Sequence, residues 1–438
     1  MTYLMLTLAV LGQLVLAAHA LRRGDWGLCA ALAALPLLMF TRRGFVRLVV
    51  AGVLILGAAQ WVDAGLGFVR MRMAFEAPWL RLALIMAALV AASLGAGLWL
   101  LGARAKEVFH KGRGGEWPQA AAFALCAGLL VLARSMAKVP VLLADRFWPG
   151  SGWLAVLGFA LYAAWLAGEF LDVKRHKALR PKVWALFSAV FFGQLLIGLL
   201  GVEDFLMTGR LHLPVPALIA AGPLFRGGGL FMPILFASTL VLVGSAWCSH
   251  LCYIGAWDDQ CSRRGPKKGG FVPRKWAILG RAGALVLVCA TALALRWLEV
   301  PGATAAALAA GFGLVGVGVM LFASRRMGVM AHCTAFCPMG LVGNVLGRLI
   351  PWRVRIDTAT CTRCGSCARA CRYSALSPLE IEAGKPGLPC TLCGDCIGAC
   401  PHDSMAYRFP GLSPQRARAV FVTLLAALMA TFLGVARI

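Results

Sequence analysis

Eight cysteines fall between residues 361 and 400 in two runs of one form. Cys361, Cys364, Cys367 and Cys371 are spaced C-x2-C-x2-C-x3-C, and Cys390, Cys393, Cys396 and Cys400 repeat that spacing, with Pro401 after the last. Three thiolates so close in sequence grip three corners of an iron–sulfur cubane, and in paired runs the fourth cysteine ligates the other cluster. The expected ligand sets are Cys361, Cys364, Cys367 and Cys400 for one [4Fe-4S] cluster, and Cys390, Cys393, Cys396 and Cys371 for a second. Two cubanes contribute about eight irons and eight acid-labile sulfides. Zinc fits poorly, because a structural zinc takes four ligands, commonly from two C-x2-C pairs. The Gly-Ser and Gly-Asp pairs between ligands let backbone amides approach the sulfurs, and such hydrogen bonds help set the potential. Arg372 follows Cys371 where proline is usual. A cation there favours the more negative, reduced state.

Four further cysteines form two C-x3-C motifs, Cys248 and Cys252 in "WCSHLCYIGA" and Cys333 and Cys337 in "HCTAFCPMG". On a continuing helix, a spacing of four puts both sulfurs on one face. Both pairs close an apolar span at the same boundary, so one four-thiol site is expected, with His250 and His332 nearby. A third metal centre, a copper site and a redox-active dithiol pair all suit soft thiolates. The plainer reading is two separate helix ends with buried free thiols. Cys261 is a spare ligand, whereas Cys29, Cys126 and Cys289 read as core.

The elements that must position these thiols are membrane helices. Of the 438 residues, 60% are hydrophobic and only 14% charged. About eleven spans of near 20 residues are expected, at 2–21, 26–41, 47–67, 79–101, 119–139, 151–171, 183–202, 230–247, 276–297, 303–323 and 419–436. The fold class is an α-helical polytopic membrane protein with a small α+β, two-cluster ferredoxin-like insert. The chain divides into a four-helix block at 1–105, a six-helix block with both C-x3-C motifs at 106–345, the insert at 346–415, and a closing helix at 416–438. The first helix lacks a basic flank and a clear cleavage site, and reads as retained.

The net charge of +25 sits in short loops, the positive-inside pattern, and no nucleic-acid-binding motif accompanies it. Basic loops at 41–44, 104–113, 173–182, 263–268 and 325–326 alternate onto one side, the cytoplasm; 22–25 and 70–72 run against the pattern. The N-terminus and the insert are then cytoplasmic, and the C-terminus is outside. Charges near membrane depth point to function. Arg134 and Lys138, four residues apart, are expected to share a helix face and, with Glu203 and Asp204, to line a polar cavity such as a quinone headgroup site. Glu169 and Asp172 read as snorkelling at a helix end. His110 and His176 fall in basic loops and read as solvated, and no facing histidine pair for a haem is expected.

The combination of C-x3-C motifs closing two helices and a following pair of cluster runs resembles the NapH/NosR-type membrane polyferredoxins over about residues 183–410. That resemblance implies electron transfer between a quinone pool or a periplasmic oxidoreductase or cytochrome and the two cytoplasmic clusters, and from there a cytoplasmic carrier, in a bacterial inner membrane. Tyr253 stands where the family has proline after the second cysteine, and there is no flavin domain of the nitrous-oxide type. "EVPGAT" at 299–304 is similar to a covalent-FMN motif, but Leu298 replaces its aspartate, so flavin at Thr304 is not expected. The competing functions are a metal-handling factor that reduces copper during assembly of another enzyme, and a redox-sensing regulator. The loop charges predict that a reporter active only in the cytoplasm is silent when fused at Ile438; activity there overturns the alternation.

Overall fold

The computed structural model describes residues 1–112, 115–206, 213–266 and 270–435. Ile438 and the side chain of Glu203 lie outside the described residues. In lipid, every backbone amide of an apolar stretch must be satisfied internally, and helix does this within one segment. Ten described helices are long and apolar enough to cross a membrane: Thr2–Arg22, Gly44–Ala74, Leu80–Leu101, Glu116–Met136, Gly152–Leu171, Val173–Leu199, Phe231–Leu251, Arg274–Trp297, Gly302–Met327 and Pro414–Gly434. The span expected at 26–41 is instead a helix of 14 residues, Trp26–Met39. At ~1.5 Å per residue it reaches about 21 Å, short of a ~30 Å hydrocarbon core.

Two loop readings change. Asp172 accepts hydrogen bonds from the amides of Lys174 (2.8 Å) and Arg175 (3.0 Å) and caps Val173–Leu199. The basic stretch at 173–182 is therefore the first turns of a helix, and Glu169 pairs with Arg175 at 2.8 Å. Conversely, Glu116–Met136 stops before Lys138, so Arg134 and Lys138 do not share a helix face.

The chain forms two compact units, Met1–Gly168 and Glu169–Ile438. In the first, Leu54, Val50 and Leu100 pack in one core with Phe123, Ala160 and Ala164. Packing thus joins Glu116–Met136 and Gly152–Leu171 to the first four helices, where composition suggested a break at 105. Buried Arg47 pairs with Glu116 and donates to the Leu100 carbonyl at 2.9 Å.

In the second unit, the insert is closed by two antiparallel strands, Arg353–Ile356 and Met405–Arg408, with Val354 opposite Tyr407. Their inward residues meet the membrane helices. Trp352 donates to the Leu242 carbonyl (2.9 Å) and packs on Phe421 at 5.1 Å, and Tyr407 packs on the same ring at 4.4 Å.

Deeper in this unit a buried charge network ties insert to helices. Arg180, fully buried on Val173–Leu199, donates to both oxygens of Asp395 (3.0 and 2.8 Å), to Asp259 (3.1 Å) and to the Ser249 carbonyl (3.1 Å). Arg263 completes the network, reaching Asp259 at 2.6 Å and Asp395 at 3.1 Å. Two cations meet two anions, so the cluster is neutral, but removing one member strands a buried charge. Such losses cost about 3–5 kcal/mol. Arg180→Met is expected to destabilise the detergent-solubilised protein by about that much, read as a lowered unfolding midpoint with early loss of bound iron. An unchanged midpoint shows that the network does not hold the insert.

Candidate metal centres

The two cysteine runs adopt one backbone. The residue two places after the first cysteine is left-handed in each, Arg363 at φ 54° and Leu392 at φ 54°, and so is the glycine after the second, Gly365 at φ 71° and Gly394 at φ 81°. Bulky residues rarely occupy that region, and its use twice at matching positions marks a loop wrapped around something. Cys361, Cys364, Cys367 and Cys400 line one cavity, closed by Ile356, Ile381 and Pro401. Cys371, Cys390, Cys393 and Cys396 form the second group. Burial, and then the neighbouring Cys393, Cys390 and Cys371, push the Cys396 thiol well above its ordinary value. As thiolates the four would repel one another here, and a cationic core would draw off that charge. The donor set fits [4Fe-4S] chemistry in both places.

The groups differ in surroundings. Cys364 is exposed, and Arg363 and Arg369 stand beside it in solvent. The Cys390–Cys396 loop lies against the membrane helices. Ser245 Oγ donates to the Cys390 carbonyl (2.9 Å) and Ser249 Oγ to the Thr391 carbonyl (2.8 Å). A Cβ on Gly394 would sit 3.2 Å from His176 Cε1 and 2.5 Å from Tyr407 Oη, so only glycine lets the loop approach this closely.

His176 corrects the sequence reading. It is buried, not solvated, and its Nε2 lies 3.5 Å from His250 Nε2. The two ring nitrogens face each other, and Phe170 stacks on His176 at 4.2 Å. A facing histidine pair therefore exists, beneath the second ligand loop. The missed signal was periodic: His176, Arg180, Trp184, Phe187 and Phe191 are all buried on one helix, a stripe at spacings of three and four that begins inside the apparent charge run.

The C-x3-C motifs are not continuing helix. Trp247–Leu251 and His332–Phe336 are each a π-helical turn, a form that concentrates at functional sites. Cys252 and Cys337 then turn extended, at ψ 112° and 117°, and cap the helices Tyr253–Arg263 and Pro338–Gly347. The two turns match in detail. The amides of Ile254 and Gly255 lie near Cys252, and those of Met339 and Gly340 near Cys337, and each pair works against the burial that raises its thiol. A Cβ on Gly255 would meet the Cys248 carbonyl at 2.9 Å, and one on Gly340 the Cys333 carbonyl at 2.8 Å. The repeating unit is C-x3-C-x2-G. A helix N-terminus favours a thiolate, while burial pushes the Cys252 thiol up to about 12 and the Cys337 thiol above its ordinary value.

The structure brings the two turns together. Burial, then Asp258, Cys337 and Cys252, push the Cys333 thiol well above its usual range. Asp258 accepts from the Cys333 amide at 2.9 Å, and burial lifts its carboxyl to about 6. Cys248 lies within electrostatic range of Cys252 and Cys337. The other expected site residues stand elsewhere. Arg134 is held by Asp145 at 2.7 Å, Lys138 is exposed beyond its helix, and Asp204 sits in a short exposed 3-10 turn. Thr304 is exposed in the first turn of Gly302–Val319.

This fold and these thiols define a multi-pass helical protein carrying 4Fe-4S binding domains. A family model described as "4Fe-4S binding domain" matches residues 225–277 and 309–357, which hold the two C-x3-C turns, and a second of the same description matches 354–377, with the first cluster run. The chain is 24% identical over 192 residues to the putative electron transport protein YccM of Escherichia coli (strain K12), covering 39% of this chain and 54% of that protein. It thus spans about half the length of the curated relative it matches. No solved structure matches it significantly.

Crosswise ligation has a direct test. Cys400→Ser is expected to remove the same electron paramagnetic resonance (EPR) signal as Cys361→Ser, and Cys371→Ser the same signal as Cys390→Ser. Pairing of Cys400 with Cys390 in this assay rejects the assignment.

Proposed function

We propose that this protein is a membrane electron-transfer subunit, passing electrons between a quinone pool or a periplasmic redox partner and two [4Fe-4S] clusters on the cytoplasmic side. The observation that carries the reading is the seam between the second cluster loop and the first C-x3-C turn, made by Ser245, Ser249, His250 and His176. It lays three thiol groups in sequence. The edge at Cys364 faces solvent, where a soluble carrier docks. The Cys371, Cys390, Cys393 and Cys396 group lies behind it. The C-x3-C thiols follow at the membrane boundary as a third thiolate-held centre.

When bound, the clusters supply one-electron redox chemistry. The chain's own residues set the order. Arg180 and Arg263 fix Asp395 and with it the ligand loop, Tyr407 donates to the Leu392 carbonyl at 2.9 Å, and burial keeps water from the second group. The cytoplasmic placement rests on the basic residues at the sequence edges of the insert and the preceding helices, Arg263, Arg264, Arg325, Arg326, Arg348 and Arg353. The likeness to YccM, a putative electron transport protein, and the resemblance to NapH/NosR-type polyferredoxins support the same reading.

The test uses the full-length protein in membrane vesicles. A short-chain quinol, or a reduced periplasmic cytochrome presented from the other face, is expected to reduce the cluster signals, and Cys390→Ser to cut reduction of the Cys361 group at least tenfold. If neither donor reduces any cluster, the reading fails.

A further inference from the structure

The two cluster runs align residue for residue, TRCGSCARAC at 362–371 on TLCGDCIGAC at 391–400. Their left-handed positions coincide, so differences between them show what the outer face of each loop meets. In the second run that face is covered. Leu392, Asp395 and Ile397 are buried. A Cβ on Gly398 would meet the Val173 carbonyl at 2.6 Å and Lys177 Cβ at 2.9 Å. No side chain fits there, because the loop rests on the helix Val173–Leu199.

The first run changes those same positions. Arg363 stands for Leu392, Ser366 for Asp395, Ala368 for Ile397 and Arg369 for Gly398. Arg363, Cys364 and Arg369 are exposed. A loop face that takes up a helix in one run therefore stands open in the other, with two cations added to it. Neither cation has a buried counter-charge. Arg369 donates to the Cys364 carbonyl (3.1 Å) and to Ser366 Oγ (2.9 Å), both neutral acceptors. Arg363 meets Glu382 at 3.5 Å, with side chains 70% and 55% exposed. An ion pair so exposed is weak and exchangeable. Each guanidinium therefore keeps donors for an outside carboxylate, in the fork that suits carboxylates best.

We propose that this face is the docking site of an acidic, soluble one-electron carrier, whose carboxylates meet Arg363 and Arg369 on either side of Cys364. This rests on the electron-transfer reading and names the chemistry of its soluble partner. The contact is small, since redox encounters bury less than about 1,200 Å², and its charges act mainly on the rate of encounter. When the carrier arrives reduced, it loses one electron and the centre held by Cys361, Cys364, Cys367 and Cys400 gains it. No bond forms and no proton moves.

The experiment uses the full-length protein, loaded without oxygen and solubilised in detergent so that the face is accessible. An acidic flavodoxin, reduced beforehand to its hydroquinone, is mixed in rapidly, and its flavin absorbance gives the second-order rate constant. Arg363→Glu and Arg369→Glu are each expected to lower that constant about tenfold at low salt. Salt of about 0.5 M is expected to bring the variants and the unaltered protein together. Arg363→Lys keeps the rate near that of the unaltered protein. Glu382→Gln, which frees Arg363, is expected to raise it about twofold. Iron content and the Cys361-dependent EPR signal are measured in every variant. If Arg369→Glu sheds iron, because that guanidinium braces the loop, Arg363→Glu and Glu382→Gln carry the test. No flavodoxin reaction, or rates that ignore the charge reversals, overturns the docking site; if quinol still reduces the clusters, the electron-transfer reading stands. Arginine-dependent reduction by flavodoxin, with no response to quinol or cytochrome, leaves the docking site standing and ends that reading.

Discussion

Arg180 holds the carboxylate of Asp395 with two nitrogens, and Asp395 lies between two ligand cysteines of the second cluster run. The loop Cys390–Cys400 buries only Leu392 and Ile397 among its large apolar side chains. The buried ion pair supplies what the loop lacks, a strong and directional contact to a rigid helix. Because the same guanidinium also reaches Asp259 and the Ser249 carbonyl, it sets three segments at once: the ligand loop, the first C-x3-C turn and the helix that follows it. Arg180 thereby fixes the second ligand loop against the first C-x3-C turn. Its desolvation is tolerated because Arg263 and the two aspartates leave no net charge behind.

Around this joint the protein uses duplication twice. The insert repeats a left-handed loop that wraps three thiols around a cavity. The membrane block repeats a π-turn that ends on a helix-capping cysteine, with a glycine packed on the first cysteine's carbonyl. The solutions differ because their settings differ. A loop in the insert bends freely and can point many amides inward. Each C-x3-C turn keeps its backbone bonded in π-type turns until the second cysteine turns extended and starts the next helix.

The cysteine spacings and the long spans were legible because each rests on a local rule: ligand reach along the chain, or the length needed to cross lipid. What was not legible depended on neighbours distant in sequence. His176 and Arg180 sit among lysines, and charge density reads as loop unless burial is known; only their register with Trp184 and Phe187 betrays the buried stripe. Cys252 and Cys337 share the spacing of a helix face, but the turn that holds them is set by close packing at Gly255 and Gly340. Arg281 is fully buried with both terminal nitrogens unpartnered, which its place in the sequence does not show.

The insert leaves the membrane block from Pro338–Gly347 and returns to it through Pro414–Gly434, a helix with 72% of its apolar window buried within the protein. A free ferredoxin is a ferry, whose delivery rate depends on how much of it is present and how often it docks. Here the cargo station is moored at both ends. Transfer between the exposed cysteines and the membrane boundary becomes a first-order event with a fixed effective concentration. Ionic strength then acts on the exposed Arg363 and Arg369 rather than on the buried part of the path. A single protease cut within the insert would also leave both fragments anchored, so the redox domain is inherited by the membrane even when its backbone is nicked.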